Sequence, residues 1–209
     1  IVGHILTHYL FLFKVFVLYY RYRNEDFMDK KLQLKYSLLQ GLFWMAFCIT
    51  IAYINSYLTA KNLLPDTIGI ITAVFGAIAA LVQNILGNIC DQSRKINWKI
   101  VIIGMLIIKL AADILINFVS IPLLQGILFG SGLMVLNTLI PFVNAANFYY
   151  EENGKILNYG VARGTGSLLY AVTSFVMGNL IALLGIDIVN LAGLIVTIAL
   201  LGLTISMPI

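Results

Sequence analysis

Along most of this chain, long apolar runs alternate with short polar links. Six runs stand out, at about 36–59, 67–90, 98–118, 121–149, 157–184 and 187–207. Crossing the hydrocarbon layer of a bilayer, about 30 Å thick, takes about 20 apolar residues in a helix. Every run reaches that length, and 121–149 and 157–184 exceed it, which implies tilt or extension past the layer. The links carry turn and cap signals. In "KNLLPDT" (61–67) Asp66 is placed to cap the second helix, and in "NFVSIP" (117–122) Pro122 falls just inside the fourth. "LGID" (184–187) joins the last two runs.

Composition agrees with the pattern. Hydrophobic residues make up 61% of the chain and charged residues 11%, where a soluble domain averages about 25% charged. The expected fold is an all-α integral membrane bundle of six transmembrane helices over 28–209. Cys48 and Cys90 lie in or beside apolar runs with no second Cys or His at ligand spacing, so no disulfide framework, metal or cofactor is implied. Basic residues sit in short loops rather than on one broad face, which argues against nucleic acid as a partner.

Loop charge predicts orientation. Arg21, Arg23, Lys30, Lys31 and Lys35 precede the first run, Arg94, Lys95 and Lys99 lie between the second and third, and Lys155 between the fourth and fifth; the opposite side has Lys61. That bias places both ends of 28–209 in the cytoplasm. Residues 1–27 fit less well. "ILTHYLFLFKVFVLYY" is apolar but contains His8 and Lys14. It reads either as a seventh span or, the favoured reading, as sequence upstream of a start at Met28. Because the chain begins at Ile1 and stops at Ile209 just past a span, it reads as a fragment.

Polar residues inside a bilayer are costly and are functional candidates by default. In the fifth run Arg163, Ser167, Tyr170 and Ser174 fall on one helical face. The fourth run places Asn137, Pro141, Asn144 and Phe148 on one face, with Asn147 a turn from Asn144; the first places Trp44, Cys48 and Asn55 on another. Three such stripes suit a shared aqueous cavity. The alternative is that they bond across helix contacts, and for Arg163 that it snorkels to the headgroups. Gly160, Gly164 and Gly166, with Gly126, Gly130 and Gly132, predict close packing of the fourth and fifth helices. A phosphate-loop reading of "GVARGTGS" fails, since it has neither a preceding strand nor the loop lysine.

Lys109 and Asp113 stand four residues apart in the third run, spaced to pair on their own helix. A buried structural pair is the preferred reading, and part of a proton or ion path the alternative. "GNICDQSRK" (87–95) closes the second run, with Gly87 permitting close approach and Arg94 and Lys95 following. Asp91 sits at the negative end of a helix dipole, where an acid requires a partner.

At these residues the chain resembles the major facilitator superfamily. "GNICDQSRK" is similar to that superfamily's loop between its second and third helices, with Gly87 and Asp91 matching although the usual glycine and second-arginine spacing is not kept. "PDTIGIITAVFGAIAALVQNILGNICD" and "YGVARGTGSLLYA" resemble the lactose-permease-like branch of sugar:proton symporters. The resemblance covers about 30–207. It implies the N-terminal half of a twelve-helix fold, made of two three-helix inverted repeats around a central site, with access alternating as the halves rock. It further implies a bacterial cell membrane, a proton-coupled small polar solute, and a partner in the form of the C-terminal half or a second copy. Arg163 falls on the branch's sugar-binding arginine and Tyr170 on its ring-stacking aromatic.

Two departures matter: Asn144 stands where the branch has the glutamate that pairs with that arginine, and Val161 replaces the first arginine of its fifth-helix motif. The resulting expectation is a solute site from Arg163, Asn144, Tyr170, Asn137, Asn55 and Ser167, a gate from Gly87, Asp91, Arg94 and Lys95, and a structural pair Lys109–Asp113. A half-size scaffold, partner subunit or pseudogene product without transport is the competing class. An enzyme is not expected, since no intramembrane cluster has nucleophile or metal spacing.

Overall fold

The computed structural model describes residues 29–93 and 96–209. The expectations for 1–27, and those for Arg94 and Lys95, fall outside the described residues. Six long helices account for nearly all of the rest: α1 (Lys30–Ala60), α2 (Pro65–Gln92), α3 (Trp98–Leu115), α4 (Pro122–Glu152), α5 (Tyr159–Leu184) and α6 (Ile188–Ser206). A 3₁₀ turn, Ile116–Phe118, prolongs α3. All six, α3 with its 3₁₀ extension, are long and apolar enough to cross a membrane.

Local chemistry explains where the helices begin. Asp29, Asn97 and Asn158 cap α1, α3 and α5 by accepting the amide N–H of Leu32, of Lys99 and Ile100, and of Val161, respectively. Pro65 and Pro122 open α2 and α4, where no intrahelical N–H bond is lost. The expected cap by Asp66 is not formed. Leu64 occupies the cap position without a side-chain bond, because Pro65 starts the helix two residues earlier than expected. Asp66 lies instead in the first turn, where the dipole favours an acid. Gly185, at φ +85°, ends α5.

Within each triplet, chain neighbours are not the main packing neighbours. The dominant pairs are α1–α5, α4–α2, α3–α4, α1–α6, α3–α6 and α1–α4, whereas α1–α2 and α5–α6 meet only slightly. This pattern maps onto itself when α1–α2–α3 is exchanged with α4–α5–α6. The α1–α5 contact becomes α4–α2, α1–α6 becomes α4–α3, and α3–α6 and α1–α4 each return to themselves. With helices crossing in alternate directions, the two triplets run oppositely.

Central α1 and α4 bury 56% of their most apolar stretch, and peripheral α2 and α5 only 17% and 11%. The core between them is continuous, from Tyr36, Leu39 and Phe43 on α1 to Leu136, Leu139 and Val143 on α4. Polar ties accompany it. The Gln33 side chain donates to the Asn158 carbonyl at 3.2 Å and accepts the Asn158 N–H at 2.7 Å, which fixes the start of α5 on α1. Tyr53 Oη donates to the Ser174 carbonyl at 2.7 Å on the same interface.

The expected α4–α5 glycine packing is not what forms. A Cβ at Gly166 would lie 2.5 Å from Trp44 Cδ1 on α1, and one at Gly130 of α4 would lie within 2.4 Å of the Phe75 ring on α2. The small residues do admit close neighbours, as lipid-embedded helices require. Interleaving of the two triplets makes those neighbours α1 and α2.

At one end of the bundle the last carbonyls of α6, which have no intrahelical donors, are taken up by lysines from other helices. Lys35 Nζ donates to the Ser206 carbonyl at 2.6 Å, and Lys99 Nζ to those of Ile205 and Met207 at 2.9 and 2.5 Å. Cations there also suit the negative end of the dipole.

The Gly166–Trp44 contact is testable. Gly166→Val forces the indole out of its slot and lowers unfolding stability by about 1–3 kcal/mol, the usual cost of overpacking. Gly164→Ala, where a Cβ meets open space, leaves stability unchanged or slightly raised. Unfolding of both variants in mixed detergent micelles checks the difference.

Candidate functional site

Tyr36, Gln40 and Trp44 recur every four residues on α1 and form one row. Gln40 is wholly buried, and a buried amide without partners costs about 1–3 kcal/mol. Its partners come from two helices. Gln40 Nε2 donates to Tyr36 Oη and to Asn144 Oδ1 of α4, both at 3.0 Å, and Gln40 Oε1 accepts Trp44 Nε1–H at 3.2 Å. Tyr159, the first residue of α5, adds a longer bond of 3.4 Å to Asn144 Oδ1.

Arg163 enters the same junction from α5. Its guanidinium carbon lies 4.1 Å from the centre of the Trp44 ring, a cation–π contact. Its Nη1 donates to Ser167 Oγ at 2.9 Å, one turn on. Tyr170 completes the row, edge to face with Trp44 at 6.5 Å between ring centres. No carboxylate of a described residue pairs with Arg163. The partner left missing by Asn144 is replaced by an indole face and a hydroxyl.

Arg163, Asn144, Tyr170 and Ser167 are therefore joined through Trp44 and Gln40. Asn137 and Asn55 are not part of this network. Asn137 Nδ2 donates to the Leu133 carbonyl of its own helix at 3.1 Å, and Asn55 is exposed about three turns beyond Trp44. Asn147 is buried, its Oδ1 without a partner among the described residues. Sequence reading placed Trp44 on a stripe of α1 without matching it to Arg163, and it passed over Tyr36, Gln40 and Tyr159. A lone glutamine four residues before a tryptophan inside an apolar run was the available signal.

A second polar system is sealed within α3, α4 and α6. Lys109 Nζ meets Asp113 Oδ2 at 2.6 Å, and the lysine side chain is only 2% exposed. Thr197 Oγ1 lies 3.4 Å from the same carboxylate oxygen, and Asn190 Nδ2 donates to the Asp113 carbonyl at 3.2 Å. A Cβ at Gly132 of α4 would lie 3.8 Å from the Lys109 stem.

The expected gate residues Gly87 and Asp91 line a cleft of about 770 Å³ at the end of the bundle that holds Lys35 and Lys99. Trp98 of α3 with its cap Asn97, and Phe142, Tyr149 and Glu152 of α4, are among its other walls. Asp91 is exposed and makes no ion pair with a described residue, and a Cβ at Gly87 would meet open space. The first amides of α3 are capped by Asn97, which leaves them unavailable to Asp91.

Six long apolar helices in two interleaved triplets, with the Arg163 charge of peripheral α5 set against central α1, make a membrane-type bundle. The profile of the MFS_1 like family matches residues 33–209. The chain belongs to that family, within the major facilitator superfamily. Membership points to a multi-pass membrane transporter rather than an enzyme. No curated protein and no solved structure matches the chain.

The sealed pair of this MFS_1-like chain generates a stability prediction. Lys109→Met strands the Asp113 carboxylate and costs about 3–5 kcal/mol, as removal of one buried partner does. The double change Lys109→Met with Asp113→Leu loses far less, because no lone charge is left behind. Unfolding of the two variants in micelles, side by side, measures the contrast.

Proposed function

We propose that this chain is the N-terminal six-helix half of a secondary transporter that moves a sugar or similar small polar solute by alternating access, with proton coupling. The observation that carries the reading is Arg163. It is half-buried, set against Trp44, and has no carboxylate partner among the described residues. A charge on an apolar helix without a counter-charge suits a solute better than a packing role.

In this reading Arg163, Asn144 and Ser167 hold the polar groups of the solute, and Tyr170 packs against its apolar face. Asn137 and Asn55 lie farther along the same path. The second body, a C-terminal half or another copy of the chain, covers the broad apolar faces of α2 and α5, where Ile70, Leu81 and Ile85, and Leu168 and Phe175, are exposed. Gly87 and Asp91 with Arg94 and Lys95 act as the cytoplasmic gate, which places both ends of 28–209 on the cytoplasmic side of the cell membrane.

Solute uptake by the full-length protein tests the site. Arg163→Ala is expected to lower uptake efficiency at least about ten-fold, the loss of one charge-assisted hydrogen bond or more. Uptake unchanged in rate and affinity removes Arg163 from the mechanism.

A further inference from the structure

If the Arg163 junction is a solute half-site, as proposed above, the directions of its hydrogen bonds identify the chemistry it accepts. An indole N–H can only donate. Trp44 Nε1 donates to Gln40 Oε1, so the oxygen of that amide must face Trp44 and its nitrogen must face away. Gln40 Nε2 therefore meets Asn144, and the Asn144 atom that receives it must be Oδ1. Turning either amide over would set N–H against N–H. Tyr159 Oη also donates to Asn144 Oδ1.

The relay has two results. Both amide oxygens are occupied within the protein, and Asn144 Nδ2, with two N–H groups, is left without a partner among the described residues. Arg163 uses one N–H on Ser167 and rests its face on Trp44, leaving most of its five donors unused and its charge without a described counter-ion. The junction thus offers a cation and several N–H donors, while its remaining acceptors are neutral hydroxyls and no described carboxylate faces Arg163. A neutral sugar can bond to these groups but brings no charge to set against the guanidinium. A carboxylate brings acceptors alone and matches the guanidinium fork.

We propose that the Arg163 junction binds an organic anion, a carboxylate-bearing polar solute such as a sugar acid, in preference to a neutral sugar. Asn144 then sets specificity. The locked amide presents a donor where a carboxylate would present an acceptor and neutralise Arg163.

Trp44 supplies the readout. The chain has two tryptophans, and Trp98→Phe keeps a ring against Tyr149 and Tyr150 while removing an indole N–H that has no described partner. Trp44 emission of that protein in micelles is followed with gluconate and acetate, and with their neutral counterparts glucose and acetamide. At least one acid is expected to give a saturable response that its neutral counterpart does not. Arg163→Gln and Asn144→Asp should each weaken it by about ten-fold or more. Asn144→Asp keeps the acceptor for Gln40, so loss of binding without loss of the fold reports the charge. A neutral probe that binds as tightly as its acid, with the same dependence on Arg163, overturns the anion preference and leaves the half-site standing. Binding that Asn144→Asp does not weaken also overturns it. No saturable response to any of the four probes, or one that Arg163→Gln leaves intact, overturns the inference together with the half-site beneath it.

Discussion

A glutamine side chain wholly enclosed by apolar helices must find hydrogen bonds for both ends of its amide, and the polar junction of this protein follows from how Gln40 does so. Its oxygen goes to Trp44, and its nitrogen to Tyr36 and across the helix contact to Asn144. Trp44, held by that bond, presents its ring to Arg163 and its edge to Tyr170. One satisfied amide thereby fixes α1 against α4, orients Asn144 and positions the charge of α5.

The interleaved triplets explain why this junction stays open while the other charged group is closed off. Central α1 and α4 carry the core, and α2 and α5 lie outside them with most of their apolar surface uncovered. Arg163 is on one of these outer helices, against α1, where a ligand or a second body can reach it. Lys109 lies where α3, α4 and α6 converge and is enclosed with its own carboxylate one turn away. The two basic groups, both inside apolar runs, therefore have opposite environments. Closed pairing suits a structural element, and an unpaired cation beside an aromatic suits recognition.

Much of this architecture was legible in the sequence because a membrane imposes a simple constraint: a helix must be long and apolar enough to cross. All six helices fall where the apolar runs lie. Helix periodicity also placed Arg163, Ser167 and Tyr170 on one face, and the spacing of Lys109 and Asp113 matches their contact. What periodicity does not contain is the identity of the opposite face. The glycines of α4 and α5 suggested contact with each other, and in the fold they accept Phe75 and Trp44, because neighbours within one triplet are separated by interleaving. Asp66 illustrates the local version of the same limit, since Pro65 moved the helix start past it. Gln40 went unrecognised because a single neutral amide disturbs an apolar run far less than an arginine does.

The central claim is that the Gln40–Asn144 bond couples α1 to α4 and orders the junction. A double-mutant cycle with Gln40→Leu and Asn144→Leu, read as unfolding free energy in mixed micelles, measures that bond directly. The predicted coupling is about 0.6 kcal/mol or more, the scale of interhelical hydrogen bonds in membrane proteins. Strict additivity of the two single changes would contradict the account.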